Sequence, residues 1–275
     1  MHNAALAALK LNWRYLAFDV PPDDLRPAIH GAKAMRFIGL NLTVPHKLLA
    51  LDLVDALDDS ARRWGAVNTI RFEAKDPRGQ WRPLAEFPDS PPEIRSHGFN
   101  TDADALVRSL REELGLELNG KKVLLLGAGG AGRAAALKLA LDHNLELFLV
   151  NRTIAKSQAL ADELRNLKAP SRVTVGYPPG PVELVLNATS LGLQPADPLP
   201  FDSAQFSLSR AAAVYDMIYR PAETPLLKAA KAAGCRAANG LGMLLYQGAK
   251  ALEIWTGQPA PVQIMRRALE QNVYG

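Results

Sequence analysis

Val123-Leu124-Leu125-Leu126-Gly127-Ala128-Gly129-Gly130-Ala131-Gly132 decides the fold of this chain. A short apolar run leads into G-x-G-x-x-G, and an alanine-rich helical stretch leads out. Alone the glycine pattern is weak; between a strand and a helix it is the context that binds a dinucleotide. The first glycine permits the tight turn, the second lets backbone approach a pyrophosphate, and the third lets helix pack on strand. Free N–H groups and the helix dipole then face the anion. A glycine loop that only packs is the alternative.

Downstream, residues 145–150 read as the next strand, and 173–175, 184–187 and 213–216 as further ones. Helical stretches at 154–167 and 225–233 alternate with them. That alternation predicts a parallel, doubly wound sheet over about 104–238. The second strand ends in Asn151-Arg152-Thr153, with Lys156 close behind and no carboxylate. NAD readers usually place an acid there for the ribose 2′-OH. Two cations instead suit a 2′-phosphate, because arginine binds phosphate as a fork. A cation at a helix N-terminus is unfavourable without an anion. The reading is NADP, with solvated cations as the alternative.

Upstream the chain reads as a smaller α/β region. Helices are predicted at 3–11 and 25–34, strands at 13–20, 37–42 and 67–72, and a helix opening at Pro45. Residues 73–95 hold five prolines and read as a long loop or hairpin tip, returning along 94–100. Residues 103–114 read as a helix, and 241–272 as two more, broken at Gly257-Gln258-Pro259.

Composition sets the outer bounds. The 275 residues are 48% hydrophobic and 22% charged, ordinary for a globular chain and ample for two domains. One cysteine, Cys235, excludes an intramolecular disulfide and suits a reducing, cytoplasmic compartment. Net charge is +4 without a basic block, so nucleic-acid binding has no support. Arg133 and Lys138 interrupt the most apolar stretch, which argues against a membrane partner. The histidines lack metal-ligand spacing, so no metal is expected. Residues 1–6 have no basic n-region or cleavage site and are not expected to be a signal peptide.

Three polar strand ends carry the chemistry: Gly39-Leu40-Asn41-Leu42-Thr43-Val44-Pro45-His46-Lys47, Gly65-Ala66-Val67-Asn68-Thr69 and Gly98-Phe99-Asn100-Thr101-Asp102. A lysine and an aspartate near a nicotinamide suit reversible reduction of a polyol ketone. The lysine donates a proton to the developing alkoxide and the carboxylate holds it in place. Singly, Lys47 also reads as a surface helix lysine and Asp102 as only an N-cap for the helix that follows.

Together these segments resemble the shikimate dehydrogenase family over nearly the whole chain. Residues 39–47 are similar to G-x-N-V-T-V-P-x-K, 66–69 to A-V-N-T, and 98–102 to G-x-N-T-D. Asn187 to Gly192 is similar to N-A-T-S-x-G. Asp216-Met217-Ile218-Tyr219, with Pro221, Thr224 and Pro225, resembles D-x-x-Y-x-P-x-x-T-P. Residues 240–247 resemble the family's C-terminal block.

The resemblance implies NADPH-dependent reduction of 3-dehydroshikimate to shikimate, in chorismate and aromatic amino-acid biosynthesis. Lys47 and Asp102 would be the catalytic pair. Thr43, Asn68, Asp102 and Gln247 would hold the ring hydroxyls, with Tyr219 nearby. Gly127, Ala128, Gly129, Gly130 and Ala131 would cradle the pyrophosphate, and Asn151, Arg152, Thr153 and Lys156 would read the adenosine phosphate end. Met217 and Gly240 would border the nicotinamide, and Asp59 matches a further cofactor position.

The implied architecture is an N-terminal α/β substrate domain, residues 1–103 completed by 241–275, plus a Rossmann-type NADP domain over 104–240. The active site would lie in the cleft between them, and a homodimer is compatible. The alternatives are a quinate/shikimate dehydrogenase of broader range and an NADP-binding protein impaired in turnover.

Two departures from the family pattern stand out. Members carry a first strand and an S-x-S segment before M-H-N, whereas this sequence opens at the matching Met1; the expectation is a start assigned too late. The step from Asn68 to Asp102 is also longer than usual, through the proline-rich 73–95 segment, which is expected to be a hairpin extension.

Overall fold

The structure, a computed structural model, describes residues 1–89, 91 and 93–275. It divides into two compact units. The first is Met1–Asp102, Leu245–Val273 and Gly275; the second is Ala103–Leu244 and Tyr274.

The second unit is a six-stranded, wholly parallel sheet. Its strands are β6 (Lys122–Leu126), β7 (Glu146–Val150), β8 (Arg172–Val175), β9 (Val182–Asn187), β10 (Ala211–Asp216) and β11 (Arg236–Asn239). They lie in the order β11-β10-β9-β6-β7-β8. The chain runs outward from β6 to one edge, then returns and runs outward from β9 to the other. The order reverses between β6 and β9, which is where doubly wound sheets bind ligands, outside the carboxyl ends of the strands. Leu124, Leu125 and Leu126 are fully buried, as a strand covered on both faces requires. The helices α6 (Gly130–Asp142), α7 (Ile154–Asn166) and α8 (Pro225–Ala232) alternate with the strands. Strand β11 is an element the sequence reading lacked. Its four residues, Arg236-Ala237-Ala238-Asn239, carry weak strand propensity and become a strand by pairing with β10.

The first unit carries a mixed sheet of β1 (Gly39–Asn41), β2 (Ala56–Leu57), β3 (Thr69–Lys75), β4 (Trp81–Pro83) and β5 (Ile94–Phe99). The order is β1-β3-β5-β2, with β4 also on β3. Among the described residues only β2 pairs in parallel, with β5. Leu25, Ile29 and Ala32 of α2 (Leu25–Ala34) pack on Ile70, Phe72 and Ala74 of β3 to form its core. The 73–95 segment forms the β3–β4 hairpin and its return. The Asp76 carboxylate closes the hairpin turn by accepting from the Arg78 and Gln80 N–H groups, both at 2.9 Å. Ser90 and Pro92 of that segment lie outside the described residues.

Residues 13–20, predicted as a strand, form no strand. Their side chains do alternate, with Trp13 and Tyr15 half-buried, but Leu16 and Phe18 are exposed and among the described residues no neighbouring strand supplies a ladder. The Asn3 amide replaces it at one residue: Tyr15 N–H donates to Asn3 Oδ1 at 2.7 Å, and Asn3 Nδ2 donates to the Tyr15 carbonyl at 2.9 Å. The expected strand at 37–42 shrinks to β1, and the helix expected to open at Pro45 is α3 (His46–Leu49). Helix α4 (Asp59–Trp64) was not predicted, although Asp58 caps it by accepting from Ser60 N–H and Gly65 ends it at φ +61°.

Candidate active site

In the first unit, three chain segments bring Lys47, Asn68 and Asp102 together. Gly65 turns the chain out of α4, and Val67 N–H then donates to the Lys47 carbonyl at 2.8 Å. That bond ties α3 to the start of β3. Asn68 N–H donates to the Phe99 carbonyl at 3.0 Å, which ties β3 to the end of β5. Asn100 bridges the last step. Its Nδ2 donates to the Ala66 carbonyl at 3.0 Å, and its Oδ1 accepts Asp102 N–H at 3.1 Å. Helix α5 (Asp102–Leu114) starts there.

The result is a direct ion pair: Lys47 Nζ donates to Asp102 Oδ2 at 2.8 Å. Both side chains are partly exposed, at 28% and 17%, so the pair is confined yet open to a ligand. The lysine carries a transferable proton, and the carboxylate fixes its position.

Asn68 is 2% exposed, and much of its amide is already engaged. Its Oδ1 accepts from Thr101 N–H at 2.8 Å, and its Nδ2 donates to Thr101 Oγ1 at 2.9 Å. An amide nitrogen carries two hydrogens, so one donor is left for a ligand. Asn41 reinforces the strand ends by donating to the Asn68 carbonyl and to Thr69 Oγ1, at 3.2 and 3.0 Å. Tyr15 donates in turn to Asn41 Oδ1 at 3.0 Å. Thr43 is exposed in the loop before Lys47, and Gln247 is half-buried on α9 (Leu241–Thr256).

Sequence reasoning missed why residue 39 is glycine. A Cβ there would sit 2.1 Å from Trp255 Nε1 and 2.4 Å from the Ile70 carbonyl. The Trp255 indole donates to that same carbonyl at 2.9 Å. Trp255 therefore braces β3 beside the Lys47 loop, a role that its isolated position in the sequence gave no signal for.

In the second unit, the glycine loop fits a dinucleotide. Gly127 has φ +106°, and a Cβ on it would come within 3.0 Å of the Ala188 backbone. A Cβ on Gly132 would lie 2.1 Å from the Gly127 carbonyl, the close helix–strand approach that this position requires. Gly129 and Gly130 have open space where a side chain would stand. Gly129 caps α6 without a side-chain hydrogen bond, so no capping side chain competes with an anion for the first N–H groups of the helix. Ala128 differs: its N–H donates to Asn151 Oδ1 at 3.1 Å, and Asn151 Nδ2 donates to the Thr153 carbonyl at 3.0 Å. Asn151 thus fastens the glycine loop to the end of β7.

Arg152, Thr153 and Lys156 are exposed at the start of α7. Neither cation makes an ion pair among the described residues, and the first turn holds no acid. Met217 and Gly240 are adjacent: Gly240 N–H donates to the Ile218 carbonyl at 3.1 Å, and a Cβ on Gly240 would lie 2.1 Å from the Met217 carbonyl. Tyr219 follows in the same loop, 39% exposed. Asp59 belongs to the first unit, where it is fully exposed on α4 and paired with Arg62 at 3.1 Å.

The chain is similar to known proteins over nearly its whole length. Residues 1–70 match a shikimate dehydrogenase substrate binding domain, 109–173 a shikimate / quinate 5-dehydrogenase, and 240–270 a shikimate 5′-dehydrogenase C-terminal domain. The NADP(+) shikimate dehydrogenase of Methanopyrus kandleri is 39% identical over 99% of this chain and 90% of its own length. That of Moorella thermoacetica is 42% identical over 98% and 87%. A crystal structure of a shikimate dehydrogenase in complex with NADP+ superposes with a TM-score of 0.81 at 34% identity, covering 100% of this chain and 90% of the other. The chain belongs to the shikimate dehydrogenase family.

Proposed function

We propose that the chain catalyses the reversible, NADP-dependent reduction of 3-dehydroshikimate to shikimate, with Lys47 and Asp102 as the catalytic pair. The observation that carries the assignment is the Lys47–Asp102 ion pair, 2.8 Å long and partly open to solvent. The first unit takes the substrate and the second the cofactor. Bound NADPH supplies the hydride that reaches the ketone carbon. Lys47 Nζ gives its proton to the ketone oxygen as negative charge develops there, so the ketone becomes an alcohol. Asp102 orients the ammonium group and accepts a hydrogen bond from a neighbouring ring hydroxyl. Asn68 offers its free amide hydrogen to a second hydroxyl, and Thr43, Gln247 and Tyr219 complete the ring contacts. In the reverse direction Lys47 takes the proton back.

Gly127 to Ala131 hold the pyrophosphate, with the Ala128 N–H already held by Asn151. Arg152 and Lys156 meet the 2′-phosphate, Met217 and Gly240 border the nicotinamide, and Asp59 is a further cofactor contact. The substrate is a small molecule and the enzyme works in the cytoplasm; among the described residues no helix is long and apolar enough to cross a membrane.

Initial rates with NADPH and 3-dehydroshikimate test the assignment, with quinate and NADP+ as the second substrate pair. Turnover of quinate at a comparable kcat/KM would move the reading to the broader shikimate/quinate activity, which the match over 109–173 also describes.

A further inference from the structure

The carboxylate of Asp216 is fully buried in the second unit and is not among the groups that meet substrate or cofactor. It ends β10, next to the end of β9, on the side of the sheet where ligands bind. Three donors converge on it. Asn187 Nδ2 and Ile218 N–H donate to Oδ1 at 2.9 and 3.1 Å, and Thr224 Oγ1 donates to Oδ2 at 2.7 Å.

Each donor anchors a different piece of loop. Asn187 also organises the turn after β9: its Oδ1 accepts from Thr189 N–H and Thr189 Oγ1, and its Nδ2 donates to the Leu191 carbonyl. Thr224 caps α8 by accepting Leu227 N–H at 3.3 Å. Ile218 stands between Met217 and Tyr219, and its carbonyl accepts Gly240 N–H. Asn187 and Thr224, like Asp216, are fully buried. One carboxylate therefore holds the 187–192 turn, the 216–224 loop and the start of α8 in a single arrangement. The 187–192 turn also packs on the glycine loop, since a Cβ on Gly127 would touch Ala188 and Thr189.

A doubly wound sheet spreads a dinucleotide across its reversal point. Here the β6–β7 side carries the glycine loop, Arg152 and Lys156, which leaves the β9–β10 side for the nicotinamide half. Resting on the proposed NADP-dependent activity, we propose that Asp216 is the positioning residue for the nicotinamide half of the cofactor. It acts through the 187–192 and 216–224 loops. Burial pushes the Asp216 carboxyl up against three hydrogen bonds that favour its charged form. An apolar core is a cheaper way to make a sheet end stable, so a buried carboxylate there fits a demand for loop geometry.

The test compares two ligands: NADPH, and adenosine 2′,5′-bisphosphate, which carries the phosphates but no nicotinamide. In Asp216→Asn the new NH2 faces a Thr224 hydroxyl already accepting from Leu227. Thr224→Val removes one donor and leaves the carboxylate in place, which covers the case where Asp216→Asn fails to fold. Both variants are expected to bind NADPH about tenfold or more weakly, and to bind the bisphosphate within about twofold of the parent. Thr224→Ser, which keeps the hydroxyl, is expected to restore NADPH binding. Equal weakening of both ligands would overturn the proposal, because it would mean general loosening of the unit; so would unchanged NADPH binding. Parent turnover of 3-dehydroshikimate is measured alongside. Its absence would sink the functional reading, while the two binding constants would still decide the role of Asp216.

Discussion

Among the described residues the Lys47 ammonium group pairs with one carboxylate, that of Asp102, whose backbone N–H is held by Asn100. Removing the proton donor and removing its holder therefore have different consequences. Lys47→Ala is expected to lower kcat about 1,000-fold with the fold intact, the range of a lost general acid. Asp102→Asn keeps a polar partner but no charge, and is expected to lower kcat by about 100-fold while raising KM for 3-dehydroshikimate. Steady-state kinetics separate the two. At the cofactor end, the Arg152→Ala, Lys156→Ala double variant is expected to raise KM for NADPH about tenfold or more and leave KM for NADH nearly unchanged. Equal changes for both cofactors would place the two cations elsewhere than at the 2′-phosphate.

Among elements, the β6–α6 junction tolerates little change. A methyl on Gly132 meets the Gly127 carbonyl at 2.1 Å, a backbone atom that cannot swing aside. Gly132→Ala is expected to cost about 1–3 kcal/mol in urea unfolding and to weaken NADPH binding as α6 shifts. Gly130→Ala has open space and is expected to fold like the parent. The junction was legible because its signal is local: apolar run, glycines and alanine-rich helix are contiguous. The 13–20 segment shows the opposite case. Its apolar residues have strand character, but a strand exists only by pairing, and here the Asn3 amide supplies the contacts at Tyr15. Strand β11 failed for the converse reason, since partner and burial make it a strand despite its composition.

For the whole molecule, two buried groups of the first unit, His2 and Glu73, contribute to acid stability. Burial pushes His2 down to about 4, against the hydrogen bond it shares with the Gly248 carbonyl. Burial alone would raise Glu73, but bonds from His97, Arg71 and Arg95 outweigh it and hold Glu73 at about 2. Both groups bind protons more readily in the unfolded chain than in the folded one, so each removes stability as pH falls. The His2 contribution is complete above its unfolded value of 6.5 and is lost toward 4; that of Glu73 is complete above 4.5 and is lost toward 2. The urea midpoint is expected to start falling below about pH 6.5, and His2→Gln to flatten the upper part of that fall. A midpoint level down to pH 4.5 would contradict the burial of His2 as a neutral ring.

Function was more legible than the sheet of the first unit. Lys47, Asn68 and Asp102 sit at the ends of three segments, each with a recognisable polar pattern. Their meeting depends on the β3–β5 pairing, which the hairpin reading of 67–100 anticipated, on the unpredicted α4, whose cap residues Asp58 and Gly65 are local, and on Trp255 against Ile70, which leaves no local trace. Two of the three donors to Asp216 lie 29 and 8 residues away along the chain, so that network has no local pattern either.

The most direct measurement is NADPH oxidation by the purified protein in the presence of 3-dehydroshikimate, run beside Lys47→Ala. Oxidation that depends on the ketone and falls about 1,000-fold in the variant, with NADPH binding unchanged, is the predicted result. NADPH bound but not oxidised by the parent, or oxidised equally by the variant, would contradict the assignment of Lys47 and Asp102 as the reacting pair.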